Sequence, residues 1–355
     1  MKFRNVKIYG AGSIGNHLAH ACRKVGMSVD MVDLDPLALV RTRDEIYPSR
    51  YGAWDAAIRT YEAGSAPVGG YDLICIGTPP ESHISLALDA VSENPRAILI
   101  EKPVSGHDTS GLDELLSLAK AKGIRLFVGY DHVVGAAVTA MTDWLGSKRE
   151  KVLTIDVEFR EHWGGIFAAH PWLSGPHDSY LGFSHLGGGA CSEHSHAINL
   201  WQHLSLITGN GRIASVFASF APGAKKNTDY DEIATFTFKS ESGLLGRCIQ
   251  DVVTRPSRKW ARVQLEDSAI DWRCGSGSEG LDQLSIWEID NPEPQNIVFN
   301  KTRPDDFISE VIAIEQATFN NTSCPVDLVH GVDTQKVILA AFESGSEGSF
   351  INVEY

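Results

Sequence analysis

Three glycines and an aspartate supply the first chemistry in this sequence. Gly10, Gly12 and Gly15 follow the apolar run Val6-Lys7-Ile8-Tyr9 and stand where a helical pattern begins. In that setting G-x-G-x-x-G binds a dinucleotide. The first glycine permits a tight turn, the second lets backbone approach the pyrophosphate, and the third lets helix and strand pack closely. The N–H groups at the helix start, Ser13 and Ile14 among them, then meet the phosphates. Asp33 closes the next strand, at the distance of the acid that bonds the adenosine ribose hydroxyls. Its charge repels a 2′-phosphate, so NAD is expected; Arg41 and Arg43 keep NADP open. No G-K-[ST] follows the glycines, so this is not a nucleotide-hydrolysing phosphate loop.

A second region is rich in histidine. His162, His170, His177, His185, His194 and His196 fall in one segment that also holds Glu193. There is no H-E-x-x-H, and no pair has the i, i+4 spacing that sets two ligands on one helix face. No metal is expected there.

The elements that must position these residues alternate strand and helix over the first third. Strands are expected at Val6–Tyr9, Val29–Val32, Tyr71–Ile76, Ala97–Ile100 and Arg125–Val128. Helices are expected at His17–Val25, from Pro36, at Ile84–Val91 and at Leu112–Lys122. Nearly continuous apolar strands in β-α units mean a doubly wound parallel sheet covered on both faces. Thr78, Lys102 and Tyr130 follow strand ends, where such sheets bind ligands. Beyond residue 130 the strand signals, Val152–Phe159, Ala234–Phe238 and Arg262–Leu265, alternate or are β-branched. Helices are read at Asp306–Phe319 and Asp333–Glu343, and a polar surface turn at Arg273–Glu279. The expected organisation is a Rossmann domain over 1–129 and an α+β domain with a mostly antiparallel open sheet over 130–355.

Composition narrows the partners. The net charge of −14 argues against nucleic acid or an anionic membrane as the main partner. No apolar run is long enough to span a bilayer. The six cysteines form no C-x-x-C pair and read as reduced thiols, and the N-terminus carries no signal-peptide pattern, so a cytoplasmic location is expected.

Three segments carry a family resemblance: Asp72-Leu73-Ile74-Cys75-Ile76-Gly77-Thr78-Pro79-Pro80-Glu81-Ser82-His83, Glu101-Lys102-Pro103, and Gly187-Gly188-Gly189-Ala190-Cys191-Ser192-Glu193-His194-Ser195-His196. With Val128-Gly129-Tyr130-Asp131 and the closing Phe342-Glu343-Ser344-Gly345, they make the chain resemble the Gfo/Idh/MocA oxidoreductases, the family of glucose-fructose oxidoreductase and inositol dehydrogenase. The resemblance implies hydride transfer between a nicotinamide and a hydroxyl or ketone carbon of a sugar, an amino or nucleotide sugar, or a cyclitol. It implies a lysine beside the nicotinamide and a histidine of the second domain completing the site, here Lys102 and His196. Thr78, Pro79, His83 and Glu101 fall in its cofactor segments. Tyr130, Asp131, His194 and Asn199 fall at its substrate positions, and Trp163 and Trp172 are candidates for stacking on a sugar ring. Lysine and histidine can both take a hydroxyl proton when their pKa lies near the working pH. His196 is the favoured acid/base, with Lys102 polarising the oxygen, and the reverse assignment stays open.

The chain also departs from the family's common pattern. Glu193 stands three residues before His196, where an aspartate four residues before is usual. Asn199 replaces a further aspartate, Asp131 an asparagine, and His132 and Val133 the arginines that usually follow it. The expectation is an NAD-dependent dehydrogenase or reductase, paired as a homodimer or homotetramer by resemblance. A redox-neutral lyase or glycosidase with tightly bound NAD, and a non-enzymatic NAD-binding regulator, are the alternatives.

Overall fold

The computed structural model describes residues 2–224, 227–276 and 280–355. The chain divides into two compact units, residues 1–131 with 303–331, and residues 132–302 with 332–355. In chain order the first stretch holds β1 (Asn5–Tyr9), α1 (Ser13–Lys24), β2 (Ser28–Asp33), α2 (Pro36–Arg41), α3 (Tyr47–Tyr51), β3 (Ile58–Glu62), β4 (Leu73–Ile76), α4 (His83–Ser92), β5 (Ala97–Ile100), α5 (Leu112–Lys122) and β6 (Arg125–Val128). The strands form one sheet in the order β3-β2-β1-β4-β5-β6, every pair parallel. All residues of β4 and β5 are buried, because helices cover both faces of the sheet. The strand order reverses between β1 and β4, so the crevice at their carboxyl ends is where such a sheet binds its ligand.

The second stretch holds α6 (Ala136–Ser147), β7 (Val152–Arg160), α7 (Gly164–Ala169), α8 (Gly189–Glu193), α9 (His196–Ile207), β8 (Ile213–Pro222), β9 (Asp231–Ser240), β10 (Leu245–Asp251), β11 (Arg258–Leu265), β12 (Ser268–Ser276), β13 (Leu281–Glu288) and β14 (Asn291–Phe299). After α10 (Asp305–Asn320) and α11 (Leu328–Glu347), the short β15 (Ile351–Asn352) joins the second sheet. That sheet has nine strands in the order β14-β13-β12-β11-β7-β10-β9-β8-β15. All its pairs are antiparallel except β7 with β10. Along β7 the buried residues Val152, Ile155, Val157 and Phe159 turn to one face, and α9 packs there, its Trp201 indole donating to the Ile155 carbonyl at 2.9 Å.

The division falls after Asp131 rather than at 129/130, and it is not a single break. Residues 303–331 return to the first unit. There α10 buries Phe307, Val311 and Ile314, and Phe307 stacks on His17 of α1 at 4.9 Å. Periodicity identifies this helix, but its apolar stripe does not say which sheet it covers. The turn read at 273–279 is also different: residues 273–276 end β12, and 277–279 lie outside the described residues. Helix α1 starts at Ser13, four residues before its apolar periodicity does, because the glycine loop feeds directly into it. Among the described residues, no helix is long and apolar enough to cross a membrane.

Candidate active site

In the first unit the site is built mainly of backbone. Gly10 has φ +100°, a region open to glycine, and a Cβ there would lie 2.7 Å from the Gly77 carbonyl oxygen. The loops after β1 and β4 therefore touch at the switch point. A Cβ on Gly15 would strike the Gly10 carbonyl, so α1 is seated directly against the turn. Gly12 is different, because a Cβ there would meet no protein atom within 4 Å. No side chain caps the start of α1, and Gly12 itself is the N-cap. An open approach, uncapped helix amides and the positive end of a helix dipole together fit a pyrophosphate.

The Asp33 carboxylate is half-buried beside this loop. It accepts from the Ala11 N–H at 2.7 Å and from the Asp35 N–H at 2.8 Å. Leu34, next to it, is 87% exposed. Arg41 lies 3.4 Å from Asp35, and Arg43 is held in a two-pronged pair by Asp44 at 2.7 and 3.0 Å. Both arginines that kept NADP open thus have acidic neighbours.

The segments after β4 and β5 are tied together by His83. Its ring is fully buried, with Nδ1 2.9 Å from the Pro103 carbonyl oxygen and Nε2 2.8 Å from that of Thr78. Burial pushes its pKa down to about 4, against the pull of the Thr78, Pro103 and Val104 carbonyls, and the Lys102 charge adds to the fall. His83 is thus a strut under the cofactor loop, where its contacts are with protein. Thr78 caps the same turn through the Ser82 hydroxyl at 2.7 Å, and Pro79 opens it. Glu101 is buried and its carboxylate accepts from the Lys102 N–H at 3.3 Å, while Lys102 is half-buried. Tyr130 and Asp131, at the end of β6, are buried as well.

In the second unit the site is built of side chains. Residues 187–202 are buried throughout except Glu193 and His196. Helix α8 ends at Glu193 and α9 begins at His196, so the shortened spacing sets these two residues one turn apart on the open side. The segment is pinned from beneath. Asp231 accepts from the Cys191 N–H at 2.8 Å, and the Gln250 amide donates to the Ala190 and Cys191 carbonyls, each at 2.8 Å. Burial pushes the Asp231 carboxyl up to about 6, although the amides of Cys191 and Ala190 favour its charged form. Gly189, at φ +80°, presses on this carboxylate, which accounts for the end of the glycine run. The Tyr180 hydroxyl donates to Glu193 at 3.2 Å.

His132, which the sequence offers only as a replaced arginine, lies edge-on to His196 with ring centroids 4.8 Å apart. Phe159 and Trp272 flank His132, and Phe159 also stacks on His196 at 6.0 Å. Other candidates fall elsewhere. Asn199 is buried and donates to Thr334 at 3.1 Å, which ties α9 to α11. His194 is buried. Trp163 is 7% exposed, stacked on Phe167 and edge-on to Tyr230, so it is packing; Trp172, beside His170, is 36% exposed.

This sheet order and glycine turn define a Rossmann fold. Residues 4–130 match the Gfo/Idh/MocA family model, described as an oxidoreductase family with an NAD-binding Rossmann fold. Solved structures of similar fold include an NAD-binding oxidoreductase from Klebsiella pneumoniae, 15% identical, with a TM-score of 0.77 and 99% of each chain covered. Levoglucosan dehydrogenase in complex with NADH and L-sorbose is 15% identical, with a TM-score of 0.78 over 100% of each chain. UDP-N-acetylglucosamine 3-dehydrogenase from Acidithiobacillus ferrooxidans is 17% identical, with a TM-score of 0.71 over 98% of each. At such identities the likeness is one of fold. No curated protein matches the sequence.

Proposed function

We propose that the protein is an NAD-dependent dehydrogenase of a secondary hydroxyl on a carbohydrate or cyclitol, acting in the cytoplasm. The observation that carries this reading is the pair Glu193 and His196, half-buried in an otherwise buried and firmly pinned segment. Buried histidines are commonly structural; a half-buried one, backed by aromatic rings and one turn from a carboxylate, is placed for proton transfer. Two proteins of similar fold are dehydrogenases of levoglucosan and of a nucleotide sugar, which supports the substrate class.

Bound NAD supplies the hydride acceptor. The glycine loop and the amides of α1 would hold its pyrophosphate, and Asp33 its ribose. His196 would take a proton from a substrate hydroxyl, and Lys102 would orient and polarise a substrate oxygen. Glu193, oriented by Tyr180, accepts from a neighbouring hydroxyl. Trp172 offers an apolar face to the sugar ring.

The test is NADH production from a panel of sugars, nucleotide sugars and cyclitols, with NAD and NADP compared. Lys102→Ala and His196→Ala are each expected to lower kcat by ~10²-fold or more. Product formation without net NADH would replace the dehydrogenase reading with a redox-neutral one. Unchanged turnover in both single variants would end the catalytic assignment.

A further inference from the structure

Two buried side chains outside the G-x-G-x-x-G pattern grip the glycine loop. Asn16 follows the last glycine on α1, and Thr42 opens the π-helical turn Thr42–Ile46 between α2 and α3; both are fully buried. The Thr42 hydroxyl donates to the Ala11 carbonyl. The Asn16 amide gives one N–H to the Gly12 carbonyl at 2.8 Å and the other to the Thr42 hydroxyl oxygen at 3.0 Å, with the Ala11 carbonyl at the edge of range at 3.4 Å. The Gly12 carbonyl also accepts from the Asn16 backbone N–H at 3.2 Å. Ala11 is therefore held at both ends, its N–H by Asp33 and its carbonyl by Thr42. Peptide geometry turns these contacts into a direction, because in a trans peptide the C=O and the following N–H point opposite ways. With the Ala11 and Gly12 carbonyls bound to Thr42 and Asn16, the N–H groups of Gly12 and Ser13 face away from both, and neither donates to another group among the described residues. Asn16 Oδ1 is buried and has no partner among the described residues. Burying a bare oxygen costs stability, so packing does not account for an amide at this position, and its N–H groups do.

We propose that Asn16 and Thr42 are positioning residues for the cofactor: they lock two successive peptide planes of the glycine loop, so that the Gly12 and Ser13 N–H groups are aimed at the pyrophosphate before it binds. A run of three glycines in six residues is otherwise free to tip these planes. Successive backbone N–H groups fixed in one direction make an anion-binding concavity, and donors fixed in advance lose no freedom when the ligand arrives. Thr42 stands between Arg41 and Arg43, so the segment acts on the cofactor through its buried residue. The assignment rests on the reading of the glycine loop as the cradle of NAD.

The experiment compares the wild type with Thr42→Val, which keeps the shape and removes the hydroxyl, Thr42→Ser, which returns the hydroxyl, and Asn16→Leu, which removes both amide donors. NAD, ADP-ribose and adenosine are titrated into each protein, and thermal unfolding is recorded without ligand. Thr42→Val and Asn16→Leu should each weaken NAD and ADP-ribose by ~10-fold, the value of hydrogen bonds to a charged group that are no longer aligned. Adenosine has no pyrophosphate and should bind every variant as it binds the wild type. Thr42→Ser should bind NAD as the wild type does. Asn16→Leu should melt no lower than the wild type, because the bare oxygen is gone. In turnover, KM for NAD should rise in Thr42→Val while kcat at saturating NAD stays the same. Equal losses for NAD and adenosine, or a loss in Thr42→Val that Thr42→Ser does not reverse, would make the two residues supports of the fold and overturn the proposal. If Asn16→Leu does not fold, the two Thr42 variants carry the decision. A wild type that binds no NAD would end the cofactor reading and this proposal with it, whereas equal NAD binding by the wild type and the variants would end the proposal alone.

Discussion

The candidate sites of the two units are made of different material. In the first unit the cofactor cradle is backbone: three glycines, the amides that open α1, and two loops in van der Waals contact at the switch point. In the second unit the half-buried pair Glu193 and His196 depends on side chains far apart in sequence, with His132 and Phe159 against the histidine, Trp272 behind these two rings, and Asp231 and Gln250 pinning residues 190 and 191. A backbone site needs residues that are small and adjacent, so it leaves a local motif. A side-chain site needs only that the fold converge on it, and its members need no fixed spacing.

The largest expected effect separates two roles inside the backbone half. Gly12→Ala places a methyl group where no protein atom lies within 4 Å, in extended backbone that any residue can adopt. Stability should change by no more than ~0.5 kcal/mol. The thermal shift that NAD produces should disappear, since the methyl group occupies the pyrophosphate approach. Gly15→Ala drives a methyl group into the Gly10 carbonyl. It should cost ~1–3 kcal/mol as an overpacked contact and lose the NAD shift as well. Equal destabilisation of the two variants in unfolding experiments would show that the loop is a plain turn and that Gly12 has no ligand to face.

This difference also explains what was legible in the sequence. The parallel sheet could be read because β4 and β5 are apolar in every residue, and the glycine loop because Gly10 needs φ +100° and Gly15 tolerates no Cβ. Lys102 and His196 came forward through motif resemblance rather than from their own surroundings. His132 was passed over because nothing in Asp131-His132-Val133 says that residue 196 will pack on it. Asn199 and Trp163 looked available, but sequence carries no record of Thr334 or of Phe167 and Tyr230 covering them. The return of α10 to the first unit was hidden for the same reason: an apolar stripe announces burial without naming the partner.

His83 sharpens the comparison from the other side, as the buried side chain under the backbone cradle. Its folded pKa of about 4 lies below the ordinary 6.5 because burial opposes the charged ring. The unfolded chain then binds the extra proton first as pH falls, so the contribution is complete above about pH 6.5 and is lost on the way down to about 4. The full span corresponds to on the order of 3 kcal/mol. His83→Gln can still donate to one carbonyl, and it should be less stable than the wild type at pH 7 but less sensitive to acid between those limits. Unfolding free energies measured at intervals across the window decide this. Parallel curves for the two proteins would place the acid sensitivity elsewhere.

The smallest effect concerns the tryptophans, where the side-chain half makes a choice that motif reading left open. Trp163 is enclosed by Phe167 and Tyr230, and Trp172 shows about a third of its surface. If Trp172 lines the sugar, Trp172→Ala should raise KM for the best polyol by ~10-fold, the value of one aromatic stacking contact, with Tm nearly unchanged. Trp163→Phe, a change inside a packed cluster, should lower Tm by a few degrees for its ~1 kcal/mol and leave KM alone. The opposite pattern, KM moved by Trp163 and Tm by Trp172, would mean that the exposed ring is a packing element and the enclosed one faces the substrate. The side-chain half of the site would then have to be redrawn around Tyr230, while the backbone half would stand.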